Sequence, residues 1–307
     1  MVDAAADGVV RSEQGKDRPR PRLGWPKPVG RATSYPKAIG LCLTAVQFSL
    51  YANEITMEEQ ERYIRALIEL HRGLERQGPG DTDYSNYIIS QIPELPSNAR
   101  IADMGCGAGA ATLFLADKFK SKVRAVDLVR EFLDELINRA KQRGLEHLVE
   151  AIECDMGSLD WEPETIDLLW SEGAAYNLTF EGALKAWRPL MAANGIAVIS
   201  EMSYFTSEVP EPVRVYWQNV YPAMGTESEN SYHANTLGFQ ILGIHRLPSK
   251  AWWDNYYGPL RENMLSFKHS EDQVMQFVIQ EIEEEMKLFA EHEQHYGYSF
   301  YIMKAVQ

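Results

Sequence analysis

Ile101-Ala102-Asp103-Met104-Gly105-Cys106-Gly107-Ala108-Gly109-Ala110-Ala111-Thr112 decides the fold of this chain. A short apolar run ends in an acid, and glycines follow at alternate positions. The apolar run suits a strand buried on both faces of a parallel sheet. The glycines let the backbone turn sharply and approach a ligand with no Cβ in the way. A helix predicted from about Ala110 offers free N–H groups at its start to a polar or anionic ligand. Strand, glycine loop and helix together open a Rossmann-type unit.

Further signals stand at matching distances on either side. Residues 122–126 read as a second strand and end in Asp127. An acid about 20 residues past such glycines is placed to accept hydrogen bonds from ribose hydroxyls. Residues 149–153 read as a third strand, followed by Cys154-Asp155-Met156, and 165–170 as a fourth, followed by Ser171-Glu172-Gly173. Each polar residue falls where a strand ends, on the edge where open α/β sheets bind ligands. Strands at 195–202, 238–247 and 298–305 complete the pattern. Helices are predicted at 108–118, 130–143 and 180–190 within it, and at 259–268 and 271–294 near the end. Alternating strands and helices imply a mostly parallel sheet with helices on both faces.

At these residues the chain resembles the class I methyltransferases that use S-adenosylmethionine. Their first motif looks like 103–109, their ribose acid matches Asp127, and Leu128 would lie against the adenine. Their third-strand acid, which takes the adenine amino group, matches Asp155, with Met156 supplying a backbone N–H. Glu153 is close enough to exchange roles with Asp155 if the register slips by two. The likeness covers roughly 70–306. It extends to a subgroup of largely uncharacterised bacterial methyltransferases through 73–80 (Gly-Leu-Glu-Arg-Gln-Gly-Pro-Gly), 170–177 (Trp-Ser-Glu-Gly-Ala-Ala-Tyr-Asn) and Tyr296-Gly297-Tyr298. The resemblance implies a Rossmann-like α/β fold: a seven-stranded, mostly parallel sheet flanked by helices, with an N-terminal helical lid and an inserted segment covering the substrate. It also implies S-adenosyl-L-methionine as methyl donor and S-adenosyl-L-homocysteine as product. The expected cofactor contacts are Gln77, Gly78, Asp103, Gly105, Cys106, Gly107, Asp127, Leu128, Asp155, Met156 and Ser171.

A sulfonium methyl is already activated, so the main demand on such a protein is in-line alignment of a nucleophile. No His-x-x-x-His, Cys-x-x-Cys or Gly-x-Ser-x-Gly occurs, and no metal is expected. Glu172 falls where the transferred methyl would lie. Methyltransferases acting on amino groups of nucleic-acid bases carry Asn-Pro-Pro-aromatic there, whereas this chain has Ser-Glu-Gly-Ala. The competing role for Glu172 is a salt bridge or a helix cap. As a reactive group it would bind a cationic amine, deprotonate an acceptor, or face charge developing on a carbon skeleton. Tyr176 and Asn177 lie a turn further on and are candidates to orient the acceptor. His233 has a pKa suited to an auxiliary base. Trp217 and Tyr221 are candidate acceptor contacts within a dense aromatic set with Tyr204, Trp252, Trp253, Tyr256 and Tyr257. The same aromatics serve equally as core for an appended layer.

Composition narrows the classes. The 307 residues carry a formal net charge of −14, which disfavours nucleic acid and anionic membranes as partners. No apolar run is long enough for a membrane span. Three cysteines without zinc spacing fit a reduced, cytoplasmic setting. Residues 1–36 hold five prolines and seven basic against four acidic residues, and are expected as a disordered tail. Residues 37–98 form the predicted lid, with one short helix at 37–50 and another at 54–77 ended by Gly78-Pro79-Gly80. The core is set at 99–307, with an insertion at 203–236 and a helical segment at 259–294. Acids on the 271–294 helix are expected at its solvated surface, although Glu281 and Glu285 intrude on its apolar face.

The expected function is methyl transfer to a small-molecule N, O or C atom in specialised metabolism. Carbon methylation of a prenyl or aromatic skeleton with Glu172 as base is an alternative within the class. A nicotinamide oxidoreductase fits less well, because its Gly-x-Gly-x-x-Gly wants glycine at 110, which is Ala. A non-catalytic cofactor-binding protein is the remaining rival, and self-association is left open.

Overall fold

The glycine loop read from the sequence sits at the middle of an eight-stranded sheet. The computed structural model describes residues 56–306. The tail at 1–36 and the helix expected at 37–50 lie outside those residues. The strands are β1 (Ile101–Met104), β2 (Val123–Asp127), β3 (Val149–Glu153), β4 (Ile166–Glu172), β5 (Met191–Tyr204), β6 (Gly225–Thr226), β7 (Phe239–Arg246) and β8 (Tyr296–Ala305). Their order is β3-β2-β1-β4-β5-β8-β7, with short β6 pairing β5 off this path. β1 to β5 run parallel, while β8 is antiparallel to both β5 and β7. The chain reverses direction between β3 and β4, on either side of β1. That switch opens a crevice at the carboxyl edge above β1 and β4, where this sheet class binds ligands.

Alternation along the strands divides the core into two faces. Ile101, Leu168, Trp170, Ile196, Val198, Phe300 and Ile302 join one buried cluster. Ala102, Met104, Leu169, Ala197, Ile199, Tyr301 and Met303 join the other. Helix α3 (Ala110–Phe119) follows the glycine loop, α4 (Arg130–Gln142) follows β2, and α5 (Phe180–Trp187) follows β4. Residues 205–236 hold α6 (Glu211–Val220), β6 and α7 (Glu227–Thr236). The expected insertion therefore contributes a strand to the sheet through β6.

The N-terminal lid is two helices, α1 (Met57–His71) and α2 (Thr82–Ile89). Thr56 caps α1 in a reciprocal capping box with Glu59. The predicted stop at Gly78-Pro79-Gly80 is corrected: α1 ends at His71, and Gly73 turns left-handed with φ 77°. Residues 74–80 are then free to run as an extended strap across the glycine loop. After β7 the aromatic run is helical, as α8 (Ser249–Trp252) and a π turn (Trp253–Tyr257), which the sequence left unassigned; α9 (Gly258–Ser266) and α10 (Gln273–His292) match the helices expected at 259–268 and 271–294.

Two acids of α10 are a second correction, while Glu283, Glu284 and Glu291 are exposed as expected. Glu281 and Glu285 are buried rather than solvated. Tyr63 of α1 donates to Glu281 at 2.7 Å, and Tyr257 of the π turn donates to Glu285 at 2.7 Å. Phenol partners from two other elements let carboxyls sit on a packed face. Among the described residues, no helix is long and apolar enough to cross a membrane.

Candidate active site

A cleft opens at the carboxyl edge of β1 and β4, beneath the 74–80 strap. Arg76, Gln77, Gly78 and Pro79 line it from above, and Asp103, Gly105, Cys106, Gly107, Ala110, Ala111, Glu172 and Gly173 from the sheet side. It encloses about 480 Å³ with its open mouth included.

The glycine loop is held in place by side chains around it. The N–H groups of Gly105 and Cys106 both donate to the carbonyl of Val126. Gly107 is left-handed, and its N–H donates to Asp127 Oδ2 at 2.8 Å. A Cβ at Gly107 would lie 2.5 Å from Gln77 Oε1, so only glycine lets the strap come this close. Gln77 Oε1 in turn accepts the N–H of Ala108 at 2.7 Å, just before α3. Arg139 of α4 ties the layers by donating to the carbonyls of Leu74, Glu75 and Ala108.

Asp103 is buried, and its Oδ2 accepts from Thr112 at 2.6 Å. Burial lifts its pKa to about 7; the Thr112 hydrogen bond opposes this, and Glu172 and Asp127 add to it. Asp127 spans the loop and the turn after β2, because its other oxygen accepts the N–H of Val129. Burial pushes its pKa up against the pull of these backbone N–H groups. Leu128 is half-buried beside it. Burial likewise raises the Cys106 thiol well above its ordinary value. Asp155 and Glu153 separate clearly: Asp155 accepts the N–H of Gly157, whereas Glu153 is exposed beside Arg130. Met156 is buried, and its carbonyl accepts from the Trp187 indole.

Glu172 sits at the last position of β4 instead of just beyond the strand. Arg76 Nη1 donates to its Oε2 at 2.6 Å, and both side chains are 8% exposed. Ser85 of α2 and the Trp170 indole donate to its Oε1 at 2.8 and 2.9 Å. Arg76 Nη2 also reaches Thr82. Three donors thus converge on one carboxylate, and two of them come from the lid.

Other expected site residues lie away from the cleft. Ser171 is fully buried, and its hydroxyl donates to the Met104 carbonyl, stitching β4 to β1 instead of facing a ligand. His233 lies on α7, 3.8 Å from Glu181 with its side chain 40% exposed, and is not among the residues that line the cleft. Trp217 and Tyr221 are core residues. Trp217 packs edge-on against Tyr296, and Tyr221 against Tyr176. Asn177 donates to the Ala174 carbonyl within its own turn.

The sequence reading missed Arg76 as a cleft residue, although it lies inside the quoted 73–80 phrase. It also missed Glu201 on β5. Glu201 is buried near Tyr221 with Oε2 unpartnered, and burial raises its pKa to about 8. Among the described residues, no cluster of three or more His, Cys, Asp or Glu could hold a metal ion.

Residues 101–195 match the family described as methyltransferase domain. This segment is a methyltransferase domain. It carries the glycine loop, Asp103, Asp127, Asp155 and Glu172, while the strap comes from outside it. The sarcosine/dimethylglycine N-methyltransferase of Halorhodospira halochloris is 23% identical over 182 residues, which cover 56% of this chain and 61% of that protein. The chain thus spans less than two thirds of that relative's length. Around the methyltransferase domain, the whole fold superposes on solved structures. An S-adenosyl-L-homocysteine complex of a methyltransferase from Geobacter sulfurreducens gives a TM-score of 0.67 at 16% identity, covering 78% of this chain and 98% of that one. Geranyl diphosphate C-methyltransferase from Streptomyces coelicolor gives 0.53 at 13% identity, covering 89% and 92%. The domain is therefore built in the class I, Rossmann-like architecture that the sequence implied.

Proposed function

We propose that the chain transfers a methyl group from S-adenosyl-L-methionine to a small-molecule acceptor, releasing S-adenosyl-L-homocysteine. The observation that carries this reading is the ring of acids around the glycine loop. Asp103 and Glu172 line one narrow cleft, Asp127 holds the loop from behind through the Gly107 N–H, and Arg76 is the one cation among the described residues that line the cleft. A sulfonium that also carries an ammonium supplies positive charge where those acids need it. Asp103 faces the ammonium in this reading, Asp127 the ribose, and the 155–156 turn the adenine. Gln77 and Gly78 border the amino-acid end beside the N-terminus of α3.

The favoured acceptor atom is an amine nitrogen. An amine brings its own lone pair, so no carboxylate has to remove a proton from carbon. The ties from Glu172 to Arg76, Ser85 and Trp170 support a holding role for it, and amine methylation needs no base at that position. Glu172 then acts by holding Arg76 and the strap over the cleft. The Halorhodospira relative, named for methylation of sarcosine and dimethylglycine, points the same way.

The test is incubation of the purified protein with methyl-labelled S-adenosyl-L-methionine and a panel of small primary, secondary and tertiary amines. Label should move to an amine, with S-adenosyl-L-homocysteine formed in equal amount. Label appearing only on phenols or prenyl carbons would overturn the choice of atom, and no label transferred to any acceptor would count against the activity.

A further inference from the structure

Thr112 stands in the first turn of α3, fully buried between the buried side chains of Ala111 and Leu113. Valine has nearly the same shape, so packing alone asks for no hydroxyl there. A helical threonine ordinarily turns its hydroxyl back to the carbonyl three or four residues earlier. Here the carbonyl four residues back, that of Ala108, takes Arg139. The Thr112 hydroxyl instead reaches out of its helix to Asp103 Oδ2 at 2.6 Å.

Asp103 is fixed in place but poorly supplied with partners. β1 lies between β2 and β4, and Asp103 pairs opposite Ala125 and Trp170. Its side chain is buried and lines the cleft. The charged groups that bear on it are Glu172 of β4, Asp127 of β2 and Arg76 of the strap. Two of these are acids, and Arg76 is already held by Glu172 at 2.6 Å. The nearby Cys106 thiol stays neutral, because burial raises it well above its ordinary value. Among the described residues, Thr112 is the one hydrogen-bond donor to the Asp103 carboxyl. Burial and the two acids favour a protonated Asp103, while the Thr112 hydroxyl and the charge of Arg76 oppose them. The balance leaves Asp103 at about 7.

We propose that Thr112 is a positioning residue: its hydroxyl aims the Asp103 carboxylate at the ammonium of S-adenosyl-L-methionine and stabilises its charge. This rests on the methyl-transfer reading above, in which Asp103 faces that ammonium. Only the ionised carboxylate attracts a cation. When the ligand enters a cleft whose Asp103 is protonated, the O–H bond breaks, its electron pair stays on oxygen, and the proton leaves to solvent. Ligand and proton therefore compete for one acid. A hydrogen bond donated to the charged form favours it. Without the hydroxyl, Asp103 holds its proton to a higher pH, and affinity is lost over the interval in between.

Calorimetry with S-adenosyl-L-homocysteine, which keeps the ammonium, reads this role through its pH dependence. Thr112→Val is expected to weaken binding by roughly fivefold or more at pH 6.5 and by less than about twofold at pH 8.5, where Asp103 is ionised in both proteins. Thr112→Ser keeps the hydroxyl and is expected to bind within about twofold of wild type at both pH values. The ligand's own amino group titrates near roughly 8 and acts on every variant alike, so the ratios stand. A merely structural threonine would cost the same factor at both pH values, or nothing at either, and each of these results overturns the proposal. So does a serine variant that behaves like the valine one. The unaltered protein gives a second reading that needs no variant to fold. At pH 6, titrations in two buffers of different ionisation heat are expected to show about one proton released on binding. Binding with no proton released sinks this inference and leaves the methyl-transfer reading standing. A wild-type protein that binds neither S-adenosyl-L-methionine nor S-adenosyl-L-homocysteine overturns that reading first and this one with it.

Discussion

At the scale of single residues, the site turns on the pairing of Arg76 with Glu172. The two lie 96 positions apart in the chain and meet at 2.6 Å with both side chains largely buried. Removing one partner of a buried pair leaves an uncompensated charge, which costs about 3–5 kcal/mol. Glu172→Gln keeps the shape and removes the charge. It is expected to lower stability by about 3 kcal/mol in urea unfolding, and to weaken S-adenosyl-L-homocysteine binding as the strap loosens. Loss of turnover with stability and affinity intact would instead make Glu172 a base. Glycine loop and strand-end acids were legible in the sequence because strand, turn and helix start are local. Arg76 was not: nothing near it announces a partner on β4. The placement of His233 beside Glu181 was not legible for the matching reason, since an imidazole side chain says nothing of where α7 carries it.

Among the elements, the lid is less a flap than part of a helical layer with α9 and α10. Arg62 pairs with Asp272, and Asn263 donates to the carbonyls of Leu70 and Arg72. Asn255 holds Gly80 and Asp81. Burial lifts Glu281 to about 7, from an ordinary value of 4.5, while the hydrogen bond from Tyr63 opposes the shift. The interface thus prefers the protonated carboxyl. Its contribution is complete below the ordinary value and is lost as pH rises through 7. His71 behaves oppositely. Burial lowers it to about 4, so the neutral ring is favoured, and its contribution is present above 6.5 and lost as pH falls through 4. Glu281→Gln is expected to flatten the fall in stability between pH 5 and 8 by on the order of 2 kcal/mol, read from urea unfolding at each pH. An unchanged slope would mean that another group carries it. The sequence pattern could not show this layer. Helical periodicity puts Glu281 and Glu285 on the apolar face, but the phenols of Tyr63 and Tyr257 that let carboxyls stay buried there come from distant segments.

Across the whole molecule, an acidic chain folds around an acid-lined cleft whose roof and floor come from different parts of the sequence. The order β3-β2-β1-β4-β5-β8-β7 places the crevice, and alternating strands and helices in the sequence were enough to foresee it. The 74–80 strap closes it, through Gln77 on the glycine loop and Arg76 on β4. The central claim is that this cleft takes S-adenosyl-L-methionine and its product. Calorimetric titration with S-adenosyl-L-homocysteine tests it most directly. Binding is expected at micromolar affinity or tighter, roughly −8 kcal/mol, weakened by about 1–3 kcal/mol in Asp127→Ala, where hydrogen bonds to ribose and loop are lost. Binding of NADH with no heat from S-adenosyl-L-homocysteine would contradict the account.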